Sequence, residues 1–253
     1  MIFFVRRAAI ILNGFGFRIG QNSNSHSVTQ QQQVDVSIDA DITVESGPPP
    51  VASGAQIYLP RGTILNNTRF ATCTLAILEA KRPELCKSAR VGTGKALSSV
   101  FFPGSPPKVI IDKICANLTA YNIADNQIAL YVKANRTDDP DPGYGCAKRS
   151  PADVTVVISG KFMPPSDPRY GPRLLVKLKL PQPIPGADLT AHKLRIDIGA
   201  SRKVRDSRTK RLRSIPYLGA PLSCPQHGWP FQGVFTGFYG DQTRVAAGTL
   251  PCR

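Results

Sequence analysis

The sequence predicts an all-β protein, a β-sandwich or jelly-roll-like fold with one short helix near residues 72–84. Two observations lead to this prediction: short apolar segments recur at regular spacing, and proline-rich turns separate them. Composition agrees, since 42% of the 253 residues are hydrophobic and 19% are charged. Such a chain does not belong to the disordered class, and at this length it buries a substantial core.

The first 33 residues are predicted to lie outside the folded domain. Met1–Arg7 ends in two arginines and Ala8–Phe17 is mostly apolar, which is similar to a short signal peptide. One asparagine and two glycines interrupt the apolar part, so either the leader is atypical or the start codon is misassigned. Gln21–Gln33 is rich in Gln, Ser and Asn and is expected to be a linker. A transmembrane segment is not expected, because no stretch of roughly 20 apolar residues occurs.

Residues 34–253 are predicted to form a single β-sandwich domain. Val34–Val44 alternates apolar and polar residues, which is typical of a half-buried strand. A helical turn or two is expected only in Thr72–Glu84. The other predicted strands are Ile57–Leu59, Lys108–Ile111, Cys115–Tyr121, Ile128–Lys133, Val154–Phe162, Leu174–Leu180, Lys193–Ile198 and Val234–Tyr239.

The six cysteines indicate an oxidising compartment. Their number is even and no CxxC spacing occurs, which favours structural disulfides over a zinc or thioredoxin-like site. The alternative is a cytosolic protein with six buried thiols. Pairing of neighbours along the chain is expected because each pair brackets a turn-rich segment. The predicted disulfides are Cys73–Cys86, Cys115–Cys146 and Cys224–Cys252.

Positive charge is the strongest electrostatic feature of the sequence. The chain has 32 Lys and Arg against 17 Asp and Glu, a net charge of +15, which favours a polyanionic partner. Ser201–Ser214 is too polar for a core strand and is expected to be an exposed loop or extended hairpin. Its candidate polyanion-binding residues are Arg202, Lys203, Arg205, Arg208, Lys210, Arg211 and Arg213. A solvated loop that only aids solubility is the alternative. Specific nucleic-acid binding is not expected, because the loop has no aromatic residue for stacking.

Three motifs are candidate chemical sites, and each has a simpler structural interpretation. Val91–Gly94 lacks the remainder of a phosphate-binding loop, so a glycine turn that leads into a strand is favoured. Cys224 and His227 could form a nucleophilic pair, but a disulfide to Cys252 is favoured. Asp138–Gly143 does not follow the EF-hand order and is expected to be an acidic turn. We therefore predict no catalytic residue, no metal site and no cofactor.

A set of short motifs resembles one family. These are Leu59–Thr63, Cys86–Ala96, Ala120–Asn122, Ser223–Phe231 and the final Cys252. Their order is similar to a group of uncharacterised secreted β-rich proteins of high-GC Gram-positive (actinobacterial) bacteria. Lys87 stands where that pattern often has proline, and Asp241 is preceded rather than followed by glycine. The resemblance implies a secreted β-rich protein and transfers no catalytic residue.

Together these observations predict a non-enzymatic protein that is secreted or associated with the cell envelope. It would bind or structure an anionic envelope polymer, or another polyanion, through the basic loop. A nucleic-acid-packaging, jelly-roll capsid-like protein is one alternative, although such subunits usually carry their charge on a terminal arm. An extracellular hydrolase on a β-sandwich scaffold is the other, since catalytic sites on loops can lack a sequence signature. The sequence indicates no oligomeric state.

Overall fold

The computed structural model describes residues 10–20, 35–44, 52–104, 107–134, 154–178, 182, 185–205, 211–223, 225–238 and 242–250. For residues 10–20 and 35–44 the description covers the backbone. Within these residues no helix is long and apolar enough to cross a membrane.

The described residues form fifteen strands and one α-helix. The strands are β1 (Ile10–Gly20), β2 (Asp35–Val44), β3 (Gly54–Pro60), β4 (Ile64–Leu65), β5 (Arg90–Phe102), β6 (Lys108–Ile123), β7 (Gln127–Ala134), β8 (Thr155–Met163), β9 (Tyr170–Lys177), β10 (Asp188–Ile198), β11 (Ser201–Arg205), β12 (Leu212–Pro216), β13 (Leu218–Gly219), β14 (Trp229–Phe238) and β15 (Gln242–Leu250). The α-helix, α1, is Leu75–Glu79, between 3-10 helices at Asn67–Arg69 and Pro83–Ala89. The predicted all-β, sandwich-like fold with one short helix is confirmed.

Eleven strands form one antiparallel sheet in the order β1-β2-β10-β5-β6-β7-β8-β9-β3-β14-β15. The sheet curls, so that the first and last strands of this order approach each other. Strand β3 shows how the faces are divided: Ala55, Ile57 and Leu59 are buried in the core, whereas Gln56 and Tyr58 are half-buried on the other face. This alternation is the period-two pattern of a strand with one face on a core.

The segment of residues 66–89, which we call the helical segment, is attached to the sheet at β6 and β7. Thr74 caps α1 by accepting a hydrogen bond from the backbone N–H of Ile77 at 3.4 Å. Leu78 is fully buried and belongs to a small core cluster with Tyr121 and Tyr131 of the sheet. The segment therefore shields part of the outer face of β6 and β7 from water.

Close strand packing explains the two glycines of the Val91–Gly94 segment. Both lie within β5 opposite β10, and a Cβ on Gly94 would overlap the carbonyl oxygen of Arg195. A Cβ on Gly92 would meet the Asp197 carbonyl in the same way. The expected glycine turn is therefore wrong: the segment is the strand itself, and its glycines allow the backbone of β10 to approach.

Two further boundaries differ from the sequence expectations. Ile10–Gly20, within the segment assigned to a leader and linker, forms β1 and pairs with β2. Its alternation of Phe and Ile with Gly and Arg over residues 15–19 is a strand pattern that the leader interpretation overlooked. The segments Lys108–Ile111 and Cys115–Tyr121 are one strand, β6, whose pairing with β5 is interrupted near Lys113 at a φ of 55°.

Candidate functional site

The basic segment folds as an exposed hairpin of β11 and β12, which we call the basic hairpin. Its strands pair antiparallel from Ser201 opposite Pro216 to Arg205 opposite Leu212. Five of the seven predicted cations lie in the described residues, and all five are exposed: Arg202, Lys203, Arg205, Arg211 and Arg213. Arg208 and Lys210 lie outside the described residues. Exposure of all five is what contact with an extended polyanion requires.

The hairpin carries cations on both of its faces. Opposed residues of an antiparallel pair share a face. Lys203 and Arg205 therefore share one face, with Ser214 and Leu212 opposite them. Arg202 lies on the other face, which Arg213 shares through its pairing with Val204. A polymer can thus meet positive charge from either side of the hairpin.

Backbone hydrogen bonds fix the base of the hairpin to the body of the protein. The N–H of Tyr217 donates to the carbonyl of Ala200 at 2.8 Å, and the N–H of Ala200 donates to the carbonyl of Val91 at 3.3 Å. The Asn66 side-chain amide donates to the Pro216 carbonyl at 2.8 Å. The cations are therefore held at a defined place relative to the sheet.

Behind this base lies a buried polar cluster that the sequence did not predict. The side chain of Asn122, which is 0% exposed, donates to the carbonyls of Asn67 at 3.0 Å, Ala71 at 3.1 Å and Phe70 at 3.4 Å. Its oxygen accepts a hydrogen bond from the Tyr217 hydroxyl at 3.1 Å. We call these five residues the Asn122 network. Every polar atom of the Asn122 side chain is thereby occupied with protein partners, as a buried amide requires.

Burial also determines the ring packing and the phenol pKa of Tyr217. Tyr217 is fully buried, and its ring contacts that of Phe70 edge-on at 5.3 Å between centroids. Burial raises the pKa of the Tyr217 phenol well above its ordinary value, because a phenolate there would lose its hydration. The hydroxyl thus stays protonated and keeps its bond to Asn122 over the physiological pH range.

A second cluster joins residues that are distant in sequence. The Ser99 hydroxyl lies 2.7 Å from Asp112 Oδ1 and 2.7 Å from His192 Nε2, and it accepts a hydrogen bond from the Lys113 N–H at 3.3 Å. The strand pairing is irregular on both sides of Ser99. On one side β10 has a bulge between Ala191 and Lys193, and on the other β6 has one between Ile111 and Ile114. Bulges re-aim side chains, and here they bring the three groups together.

The order of this cluster does not match that of a serine hydrolase. A nucleophilic serine donates its proton to a histidine, which an acid then orients. Here Ser99 lies between the other two, and its one proton is best donated to the Asp112 carboxylate, so that His192 Nε2–H donates to Ser99. Ser99 is also only 1% exposed. The cluster accordingly connects three neighbouring strands rather than presenting a nucleophile.

The structure bears on half of the predicted cysteine set. Cys73 and Cys86 form the predicted disulfide, with their Cα atoms 5.4 Å apart. Cys115 is disulfide-bonded as well. Its predicted partner Cys146, and the predicted pair Cys224–Cys252, lie outside the described residues and stay predictions.

The other predicted motifs lie largely outside the described residues, as Cys224 does. His227 is exposed, whereas Asp138–Gly143 lies outside the described residues. Within the described part of the chain, no three His, Cys, Asp or Glu side chains lie close enough together to hold a metal ion.

Comparison with known proteins gives no relative. No protein family matches the chain, and no curated protein or solved structure is significantly similar to it. The resemblance to secreted actinobacterial proteins therefore stays a prediction.

Proposed function

We propose that this protein is a non-enzymatic, exported protein of the cell surface or envelope that binds anionic polymer through the basic hairpin. The observation that carries the proposal is the exposure of five cations on a hairpin with a fixed base. Residues 201–216 contain seven Lys and Arg side chains and one carboxylate, Asp206, so the local field is positive. Contacts of this kind neutralise phosphates or other repeated anions without reading a sequence.

The disulfide supports the proposed location. Cys73–Cys86 is a structural bond within the helical segment, and such bonds persist in oxidising compartments outside the cytoplasm. The net charge of +15 fits the same setting, because envelope polymers that carry phosphate or carboxylate groups attract a cationic protein.

Chromatography on heparin and on a polyglycerol-phosphate resin tests the hairpin directly. The variant R202Q/K203Q/R205Q removes three positive charges from β11. Elution should shift to lower salt, and the slope of log affinity against log salt should fall by about 2 to 3, since each phosphate contact contributes roughly 0.7–0.9.

The matched control is K87Q/K133Q/K161Q, which removes the same charge from three other exposed positions. It should keep most of the retention and the slope of the unmodified protein. Equal losses in both variants would show that net charge alone drives binding and would overturn the proposal, as would unchanged retention of the hairpin variant. Retention on DNA alone, with none on polyglycerol phosphate, would favour the nucleic-acid-packaging alternative.

A further inference from the structure

The outward face of β9, β3 and β14 carries a row of polar and aromatic side chains. Arg173 of β9 lies opposite Tyr58 of β3, and Tyr58 lies opposite Gln232 of β14. Gln56 is two residues from Tyr58 on the same face. All four side chains are half-buried. We call these four residues the polar sheet face.

Arg173 is a partly buried cation that has no carboxylate partner among the described residues. Its Nη1 donates to Gln56 Oε1 at 3.1 Å, while its Nε is buried and has no hydrogen-bond partner. It forms no ion pair with any residue that the structure describes. The side chain as a whole is half-buried, so the N–H groups at the outer end of its guanidinium can donate to an anion from solvent.

Arg169, four residues earlier, is by contrast paired with a carboxylate of the protein. Its Nη2 lies 2.7 Å from Asp167 Oδ2, and hydrogen bonds from the Arg169 side chain lower the pKa of the Asp167 carboxyl. The same guanidinium lies 5.4 Å from the ring centroid of Tyr170. Arg169 is thus paired within the protein, whereas Arg173 is available to an external anion.

The amide groups of the polar sheet face add further donors. Gln56 Oε1 accepts from both Arg173 and the Tyr58 hydroxyl, the latter at 3.2 Å, which leaves the Gln56 NH₂ group to donate. The Gln232 amide makes no hydrogen bond to a residue that the structure describes. The Tyr58 ring is held against that of Tyr170, with centroids 5.4 Å apart. Donors therefore surround one fixed aromatic ring.

We propose that the polar sheet face binds a carboxylate-bearing sugar unit of an acidic polysaccharide. The Arg173 guanidinium pairs with the sugar carboxylate, the amides of Gln56 and Gln232 hydrogen-bond its hydroxyls, and the Tyr58 ring packs against the sugar ring. Charge complementarity argues for this occupant. A single-stranded nucleic acid is disfavoured, because it needs successive stacking rings and a basic groove, whereas the four residues of the polar sheet face include one aromatic ring and one cation.

This site does not depend on the proposal for the basic hairpin. The hairpin follows β10, and four strands, β5 to β8, lie between β10 and β9 in the order of the sheet. Binding here can therefore be measured in the hairpin variant R202Q/K203Q/R205Q, and failure at one site leaves the other proposal standing.

Calorimetry with trigalacturonate at about 150 mM salt tests the assignment, since exposed long-range charge effects are largely screened there. The variant R173Q should bind at least about tenfold more weakly, the loss expected for a charge-assisted hydrogen bond of roughly 1.5–3 kcal/mol. The control K177Q removes the same charge from an exposed position on the same strand and should bind within about twofold of the unmodified protein. The carboxyl-reduced trisaccharide should not bind measurably.

Three results would overturn the proposal: no binding of trigalacturonate, equal losses in R173Q and K177Q, or undiminished binding of the carboxyl-reduced sugar. Binding of a thymidine trinucleotide with the same dependence on Arg173 would identify a phosphate ligand and would also overturn it. Should R173Q unfold, Q232A provides the second test: it should weaken binding while the melting temperature stays unchanged. Unaltered affinity of a folded Q232A would remove the amide from the site.

Discussion

The basic hairpin and the helical segment at residues 66–89 are both attached to the same curled sheet, but they are held in different ways. The hairpin is anchored at its base mainly by main-chain hydrogen bonds, with one bond from the Asn66 side chain, and its cations are exposed. The helical segment depends more on side chains: the Asn122 amide bonds three of its carbonyls and the Cys73–Cys86 disulfide closes it, in addition to a main-chain bond from the Cys73 N–H to the Asn122 carbonyl.

This difference separates binding from stability. Exposed cations on a hairpin contribute little to folding, so they can be removed without loss of the fold. A buried amide that satisfies several backbone groups is far more costly to replace, because its partners remain buried without hydrogen bonds. Substitutions of the hairpin cations should therefore weaken polyanion binding and leave stability unchanged. Substitutions in the Asn122 network should lower stability and leave polyanion binding unchanged.

The largest effect is expected for Asn122→Ala. It leaves the carbonyls of Asn67, Phe70 and Ala71 and the Tyr217 hydroxyl without their common partner. The free energy of unfolding should fall by about 4 kcal/mol, measured by urea denaturation. Asn117→Ala, an exposed position on the same strand, is the matched control and should cost less than about 0.5 kcal/mol. A cost of Asn122→Ala no larger than that of the control would contradict the role assigned to the network.

The next effect is expected for the double variant Cys73→Ser/Cys86→Ser. The two residues are 13 apart in sequence, and closing a loop of this size contributes about 3 kcal/mol in the chain-entropy description. The melting temperature should fall by about 6–12 °C, as expected for a chain of this length. Retention on heparin at low temperature should not change, because the residues that hold the base of the hairpin, Val91 and Asn66, lie outside the Cys73–Cys86 loop. Loss of retention in the folded variant would show that the two regions are coupled.

The sequence was sufficient for the fold class, because alternation of apolar and polar residues is a local property. Residues 35–44 and 54–60 could be recognised as strands for this reason. The strand Ile10–Gly20 was missed because an apolar segment near an arginine pair also fits a leader. The charge of the hairpin was likewise visible, since it depends on composition rather than on pairing.

The polar clusters could not be predicted, because they depend on the register of distant strands. Asn122 meets residues 55 and 95 positions away, and Ser99 meets His192 across 93 positions. Nothing local marks these residues: Asn122 occurs in an ordinary strand, and the bulges beside Ser99 carry no glycine or proline. Arg173 is similar, since only the structure shows that no carboxylate of the described residues forms an ion pair with it.

A moderate, pH-dependent effect is expected for Tyr217→Phe. At neutral pH the loss of the hydroxyl leaves the Asn122 oxygen unpaired and should cost about 1–3 kcal/mol. Burial raises the folded-state pKa of Tyr217, so the unfolded chain releases this proton first as the pH rises. The stability contributed by the raised pKa of Tyr217 is therefore complete below about pH 10 and decreases as the pH rises above that value.

Tyr217→Phe has no phenol to ionise at this position. The difference in the free energy of unfolding between the unmodified protein and the variant should therefore narrow above about pH 10. Melting temperatures recorded from neutral to alkaline pH measure this. A difference that stays constant, or widens, over the alkaline range would show that Tyr217 ionises as readily in the folded protein as in the unfolded chain.

The smallest effect is expected for Arg202→Gln, which tests whether a side chain of the hairpin itself helps to hold it in place. Arg202 Nη1 donates to the Arg69 carbonyl at 2.7 Å, but both residues are exposed, so water can replace the lost bond. The free energy of unfolding should change by less than about 0.5 kcal/mol, the same as for Lys203→Gln beside it. Both variants should lower heparin retention by a similar amount, because each removes one exposed charge. If Arg202→Gln instead cost as much as Tyr217→Phe, a cation of the hairpin would be needed for stability as well as for binding, and the contrast between the two regions would disappear.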